Sequence, residues 1–427
     1  MMEILQELLQ DVPLPRMVKI RQTFAVNRIA NVEESLRSAL ATPDITAKIV
    51  PGMKVAVAVG SRGLADLPLL VRTTVACLKD CGAHPFIVPS MGSHGGATAD
   101  GQREVLANLG VTENSAGCPI HSSMEVDEIG RLPNGLPVYI DRCANAADGI
   151  VVINRVKPHT AFRGASESGL VKMLTIGLGK QKGAASCHAY SFKYMAQNII
   201  DMAKVILDKT PVLFGVGTVE NAYDQIAKIV AVPAEQLIAV DQQLQQEAKA
   251  NMPYIPFKQI DVLLIDQIGK DISGDGMDPN VTGRYPTPYA TGGPSVSKMA
   301  VLDLTERTHG NANGMGTADF TTRRLVEKTD FAATYANGLT STVVTPTHTP
   351  TVLENERDVV RAAVKTSNAL DLNQVRIVHI KDTLHLGEMY ISEALLSEAH
   401  ALPQVTILTQ PAEMAFDNNG NFRRPLL

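Results

Sequence analysis

The side chains able to do chemistry gather in four segments, each following or interrupting an apolar run. Gly60-Ser-Arg-Gly63 offers Arg62, which could hold a carboxylate or phosphate through two hydrogen bonds, or could be a surface arginine in a tight turn. Met91-Gly-Ser-His-Gly-Gly-Ala-Thr98 offers His94, whose flanking glycines keep the backbone open to a ligand. That loop fits neither GxGxxG nor a Walker pattern, so its nucleotide signal is weak. Thr98 or Asp100 could cap the helix that follows. Asn154-Arg-Val-Lys-Pro-His-Thr-Ala-Phe-Arg-Gly164 crowds Arg155, Lys157 and Arg163 around His159, which is unfavourable unless an anion neutralises the charge. In Glu167-Ser-Gly-Leu-Val-Lys-Met-Leu-Thr-Ile-Gly-Leu-Gly179, Lys172 interrupts an apolar helical run and either snorkels to water or is placed for chemistry. Sixteen residues on, His188 lies among small residues, Ala-Ser-Cys-His-Ala, where a metal could approach.

These residues do not spell a hydrolase. GxSxG, HExxH and the P-loop are all missing, and close-spaced zinc ligands are missing too. Two histidines in separate loops facing one centre suit a reaction that adds and removes a proton on opposite sides, because imidazole titrates near neutral pH.

The elements that must position them follow an α/β pattern with mostly parallel sheets. Short β-branched runs at 54–59, 85–88, 149–154, 212–219, 262–265, 299–304 and 375–380 predict strands, and helix-period segments lie between them. Ligands in such sheets sit beyond the carboxyl ends of the strands, where the four segments fall. Asn251-Met-Pro-Tyr-Ile-Pro256 is a helix-breaking linker. It divides the chain into an expected cofactor-binding catalytic α/β domain, 1–255, and a second α/β domain, 256–427, closing a substrate cleft between them.

Composition bounds the function classes. The chain has 427 residues, 45% hydrophobic and 19% charged, with a net charge of −5, which excludes general disorder and gives no basic footprint for nucleic acid. Aromatics are 4% with no tryptophan, which disfavours a base-stacking surface. The five cysteines (77, 81, 118, 143, 187) contain no CxxC pair and fit a reducing compartment. Neither a signal-like N-terminus nor a run of about 18–20 apolar residues occurs, so the expected location is the cytoplasm, away from membranes.

Taken as an ordered set, the segments resemble the nickel-dependent lactate racemase family. His94, His159, Lys172 and His188, separated by 65, 13 and 16 residues, follow the family's order of two loop histidines, a helical lysine and a downstream histidine, and Arg62 precedes His94 by 32. The resemblance implies a nickel-pincer nucleotide, a pyridinium-3,5-bisthiocarboxylic acid mononucleotide holding Ni, tethered to Lys172 and ligated by His188. It implies His94 and His159 as paired acid/bases during proton-coupled hydride transfer at C2 of a 2-hydroxy acid. Arg62 would hold the substrate carboxylate or cofactor phosphate, with Lys157 and Arg163 as further anion candidates. Cofactor-synthesis proteins would be loading partners. Departures at Gly63-Leu-Ala, in the 269–280 loop and in the lack of any tryptophan point away from lactate, toward a bulkier or more polar acid that the Asp-rich loop and Arg284 would suit.

Two other readings stand beside it. A nicotinamide-dependent 2-hydroxyacid dehydrogenase would give a net redox product, but no dinucleotide fingerprint follows the first strand. A non-catalytic nickel- or nucleotide-binding protein would need Lys172 and His188 but not both loop histidines. Cys187 is either a soft metal ligand or a buried small residue. His84, His121, His379, His385 and His400 read as surface or packing residues, while His309 and His348 lie in second-domain loops that could line the cleft.

Overall fold

The structure is a computed structural model that describes residues 2–61 and 63–423. It divides into two compact units, Ala25–Met252 and Met1–Phe24 with Pro253–Leu427.

The first unit is built on a five-stranded sheet in the order His84–Pro89, Lys54–Val59, Gly149–Arg155, Val212–Glu220, Ile226–Pro233. The first four strands are parallel and the last is antiparallel. Val55 to Val59 are fully buried without alternation, as a strand covered on both faces requires. The helix Leu67–Asp80 covers one face through Leu70, Val71, Val75 and Leu78, which recur with helical period. From Lys54–Val59 the chain first adds a strand on one side and later returns to the other with Gly149–Arg155. That reversal is a topological switch point, and the crevice beyond it is where open α/β sheets take ligands.

The second unit holds an eight-stranded mixed sheet. Thr351–Leu353, Phe320–Thr322, Ser295–Leu304, Gln259–Ile268 and Ile377–Ile380 run parallel. Glu388–Ser392, Met17–Gln22 and Val405–Ile407 complete it antiparallel. This corrects the expected 1–255 domain, because the first 24 residues belong to the other unit. The strand Met17–Gln22 buries Val18 and Ile20 and is hydrogen-bonded on both edges, while Lys19 and Arg21 pair with Glu388. A partner some 370 residues away leaves no local trace. Among the described residues no helix is long and apolar enough to cross a membrane.

Candidate active site

The loop leaving Lys54–Val59 brings Ser61 Oγ to 2.5 Å from His94 Nδ1. Gly60 packs close to Met173, whose terminal methyl would lie 2.9 Å from an added Cβ and would have to move to admit one. Arg62 lies outside the described residues. A little further on, Ala65 N–H donates to Glu220 at 2.8 Å, and the same carboxylate pairs with Arg155. His94 itself is exposed, on the loop after His84–Pro89, and Thr98 caps the next helix by accepting from Gly101 N–H at 3.1 Å.

The cation-rich segment is wound around a carboxylate that the sequence reading did not assign. Glu167 is fully buried and accepts the N–H of His159 at 2.9 Å and of Gly164 at 3.1 Å. It also pairs with Arg163 at 3.3 Å and Lys249 at 2.7 Å. The anion that this charge cluster calls for is thus in part the protein's own, and Arg163 also donates to the carbonyl of His159 at 2.8 Å. Arg163 acts here as a clamp on the His159 loop. Lys157 is partly buried, with its backbone N–H and carbonyl bracketed by the Ser168 hydroxyl at 2.8 and 2.6 Å.

His159 Nδ1 accepts the N–H of Ala161 at 3.0 Å, which fixes the orientation of the ring. The ring packs on Phe162, centroids 4.5 Å apart, and on Phe192 at 5.9 Å. His188 meets the same Phe192 edge-on at 5.4 Å, so one aromatic side chain joins the two histidines.

Lys172 and His188 lie on one irregular helical run: Gly169–Lys172, a π-helical turn Met173–Gly177, then Lys180–His188. π-Helical turns are often found at functional sites. Gly169, at φ +81°, starts the run where a Cβ would lie 2.3 Å from Asp241 Oδ1. His188 Nδ1 is 2.6 Å from the carbonyl of Ala184, an acceptor only. Nδ1 therefore carries the proton and Nε2 the lone pair, the tautomer a metal ligand needs. Burial lowers the His188 pKa, the Lys172 cation lowers it further and the Ala184 carbonyl opposes both, favouring neutral imidazole. Cys187 faces inward against Met195, with Sγ–Sδ at 3.2 Å, and burial pushes its thiol up to about 12. It is a packing residue, not a thiolate ligand.

Among the described residues no group of three or more His, Cys, Asp or Glu side chains is placed to hold a metal. A bare ion would want three or four such donors, whereas a metal arriving with its own ligands needs only one imidazole. The Lys172–His188 pair fits the second case. In the other unit Arg284 pairs with Asp319 at 2.8 Å and donates to the carbonyls of Val296, Ser297 and Thr317, so its role there is to tie strands and loops together.

Residues 6–199 match the family described as the lactate racemase N-terminal domain. This stretch is similar to a lactate racemase N-terminal domain. The domain contains Arg62, His94, Lys157, His159, Arg163, Lys172 and His188, and its opening residues supply the strand Met17–Gln22 to the other unit's sheet. No curated protein matches the chain. Two solved structures are similar to it. One is a protein from Thermotoga maritima, 12% identical, TM-score 0.49, covering 76% of this chain and 84% of that one. The other is the lactate racemase apoprotein from Thermoanaerobacterium thermosaccharolyticum, 14% identical, TM-score 0.45, covering 86% and 88%.

Proposed function

We propose that this chain is a 2-hydroxy acid racemase or epimerase that works with a lysine-tethered nickel-pincer nucleotide. The observation that carries the reading is that Lys172 and His188 share one helical run while His188 and His159 pack on the one ring of Phe192. His188 keeps a lone pair at Nε2, as a ligand must, and the same Phe192 ring packs beside His159, a second imidazole of the type that carries protons to and from substrate. Lys172, close enough to His188 to depress its pKa, is the anchoring amine.

Bound at these two residues, the nucleotide would supply a reversible acceptor for the hydride of substrate C2, which no side chain can provide. The chain's own residues handle the proton and the substrate. His94, held through Nδ1 by Ser61, takes the 2-hydroxyl proton, and His159 returns a proton to the oxygen of the planar keto acid from the other face. The histidines exchange roles for the opposite enantiomer. Phe162 and Phe192 exclude water beside His159, so the proton passes to substrate rather than solvent. Arg62 and Lys157 hold the carboxylate. With Arg284 engaged by Asp319, the preference for a polar, bulkier acid rests on the missing tryptophan and the Asp-rich 269–280 loop.

The test is production alongside the cofactor-synthesis proteins, followed by intact mass, nickel content and a chiral assay over a panel of 2-hydroxy acids. We expect a mononucleotide-sized adduct with about one nickel, both lost in Lys172→Ala, and inversion without net redox change. An unmodified, nickel-free chain would overturn the reading. Net oxidation of substrate would favour the dehydrogenase. Loading without turnover, unchanged by His94→Ala, would favour a carrier.

A further inference from the structure

The largest buried charge in the catalytic unit has no part in the chemistry above. Lys180 is fully buried and sits at φ +54°, a left-handed conformation that side chains other than glycine adopt rarely, at the joint between the π-helical turn and the helix Lys180–His188. Its ammonium donates to the carbonyl of Pro89 and to Gln102 Oε1 at 2.9 Å, and forms an ion pair with Asp141 Oδ2 at 3.4 Å. Each contact belongs to a different element: the end of the strand His84–Pro89, the helix Ala99–Asn108 and the end of the strand Pro137–Asp141. Gln102, also fully buried, spends its amide differently. Its Nε2 donates to the carbonyl of Gly92 at 2.9 Å and of His94 at 3.2 Å. Gly92 N–H in turn donates to the carbonyl of Gly177 at 3.3 Å, on the same helical run that carries Lys172.

We infer that Lys180 and Gln102 form a positioning pair that sets the His94 loop against the Lys172–His188 helical run. The chain of contacts is continuous. Lys180 orients the Gln102 amide by occupying its oxygen, so the NH2 must face the loop. The NH2 then holds the loop backbone on either side of Ser93, and Ser61 completes the placement of His94 from the imidazole side. A buried ammonium is an unfavourable way merely to fill space, since burial lowers its pKa and only the surrounding acceptors keep it charged. Its use here is directional: an amide with its oxygen on a cation cannot flip.

The importance of His94 rests on the proposed racemase reading, but the positioning does not, and the experiment separates them. Gln102→Glu keeps an oxygen for Lys180, preserving the buried charge, and replaces the NH2 by an oxygen that repels both loop carbonyls. In the unloaded protein, the imidazole 1H–13C signals of His94 should shift or broaden and its titration should move, while those of His188 stay in place. Gln102→Met, uncharged and of similar size, should do the same. In loaded protein, kcat should fall on the order of 10- to 100-fold with KM little changed and the Lys172 adduct and nickel content intact, as for a misplaced acid/base. Unchanged His94 signals in a folded Gln102→Glu or Gln102→Met protein would overturn the inference. A loaded wild-type enzyme without racemase activity, together with the His94 shift in the Gln102 variants, would overturn the racemase reading and leave the positioning pair standing.

Discussion

Asp241 Oδ1 accepts the N–H of Leu170 at 2.7 Å, so a carboxylate on the helix Leu237–Asn251 sets the start of the helical run that presents Lys172. Burial pushes its pKa up to about 6 from an ordinary 3.8, against the opposing hydrogen bond from Leu170.

A raised acid pKa has a defined sign. Between about pH 4 and 6 the folded chain binds more protons than the unfolded one, so Asp241 makes stability fall as pH rises through that window. The full penalty above it is on the order of 3 kcal/mol. Asp241→Asn keeps an oxygen for Leu170 and removes the charge. Denaturant melts should show the variant gaining on the wild type from pH 4 to 6.5 and staying ahead at neutral pH. A constant difference across that range would refute a buried, charged Asp241.

Neutralising Glu167 is expected to destabilise the fold. Glu167→Gln leaves Arg163 and Lys249 facing a neutral amide and breaks the bonds that shape the His159 loop. A loss of about 2–4 kcal/mol is expected, because both cations are partly solvated. The check is a chemical melt with a proteolysis map; cleavage should increase within residues 157–168, and its absence would argue against Glu167 as the loop's centre.

The second unit, assembled from two separate chain segments, predicts how fragments behave. Residues 25–252 should fold alone with a cooperative melt. Residues 253–427 should aggregate, since the Glu388–Ser392 and Val405–Ile407 edges lose the strand between them. Adding a peptide of residues 1–24 should restore solubility. A soluble 253–427 fragment without the peptide would count against that strand's importance.

Much of this was legible along the chain because the signals are local. The runs at 55–59 and 150–153 are apolar on every residue, which only a doubly covered strand tolerates, and the polar segments after them fall at the parallel strands' carboxyl ends. Glu167, Gln102, Lys180 and Asp241 escaped notice because nothing local marks them. A buried carboxylate, amide or ammonium is recognised by its partners, and Asp241 acts on Leu170 from 71 positions away.

The sequence by itself determined the α/β class, the linker near 251–256 and the order of chemistry-bearing segments, since strand pattern, proline and glycine act within a few residues. Only the tertiary structure decided that Met17–Gln22 completes the other unit's sheet, that Arg163 is held by Glu167 and that His159 and His188 share Phe192. Strand pairing, ion pairing and ring packing depend on which groups meet in space, and that is settled when the chain closes on itself.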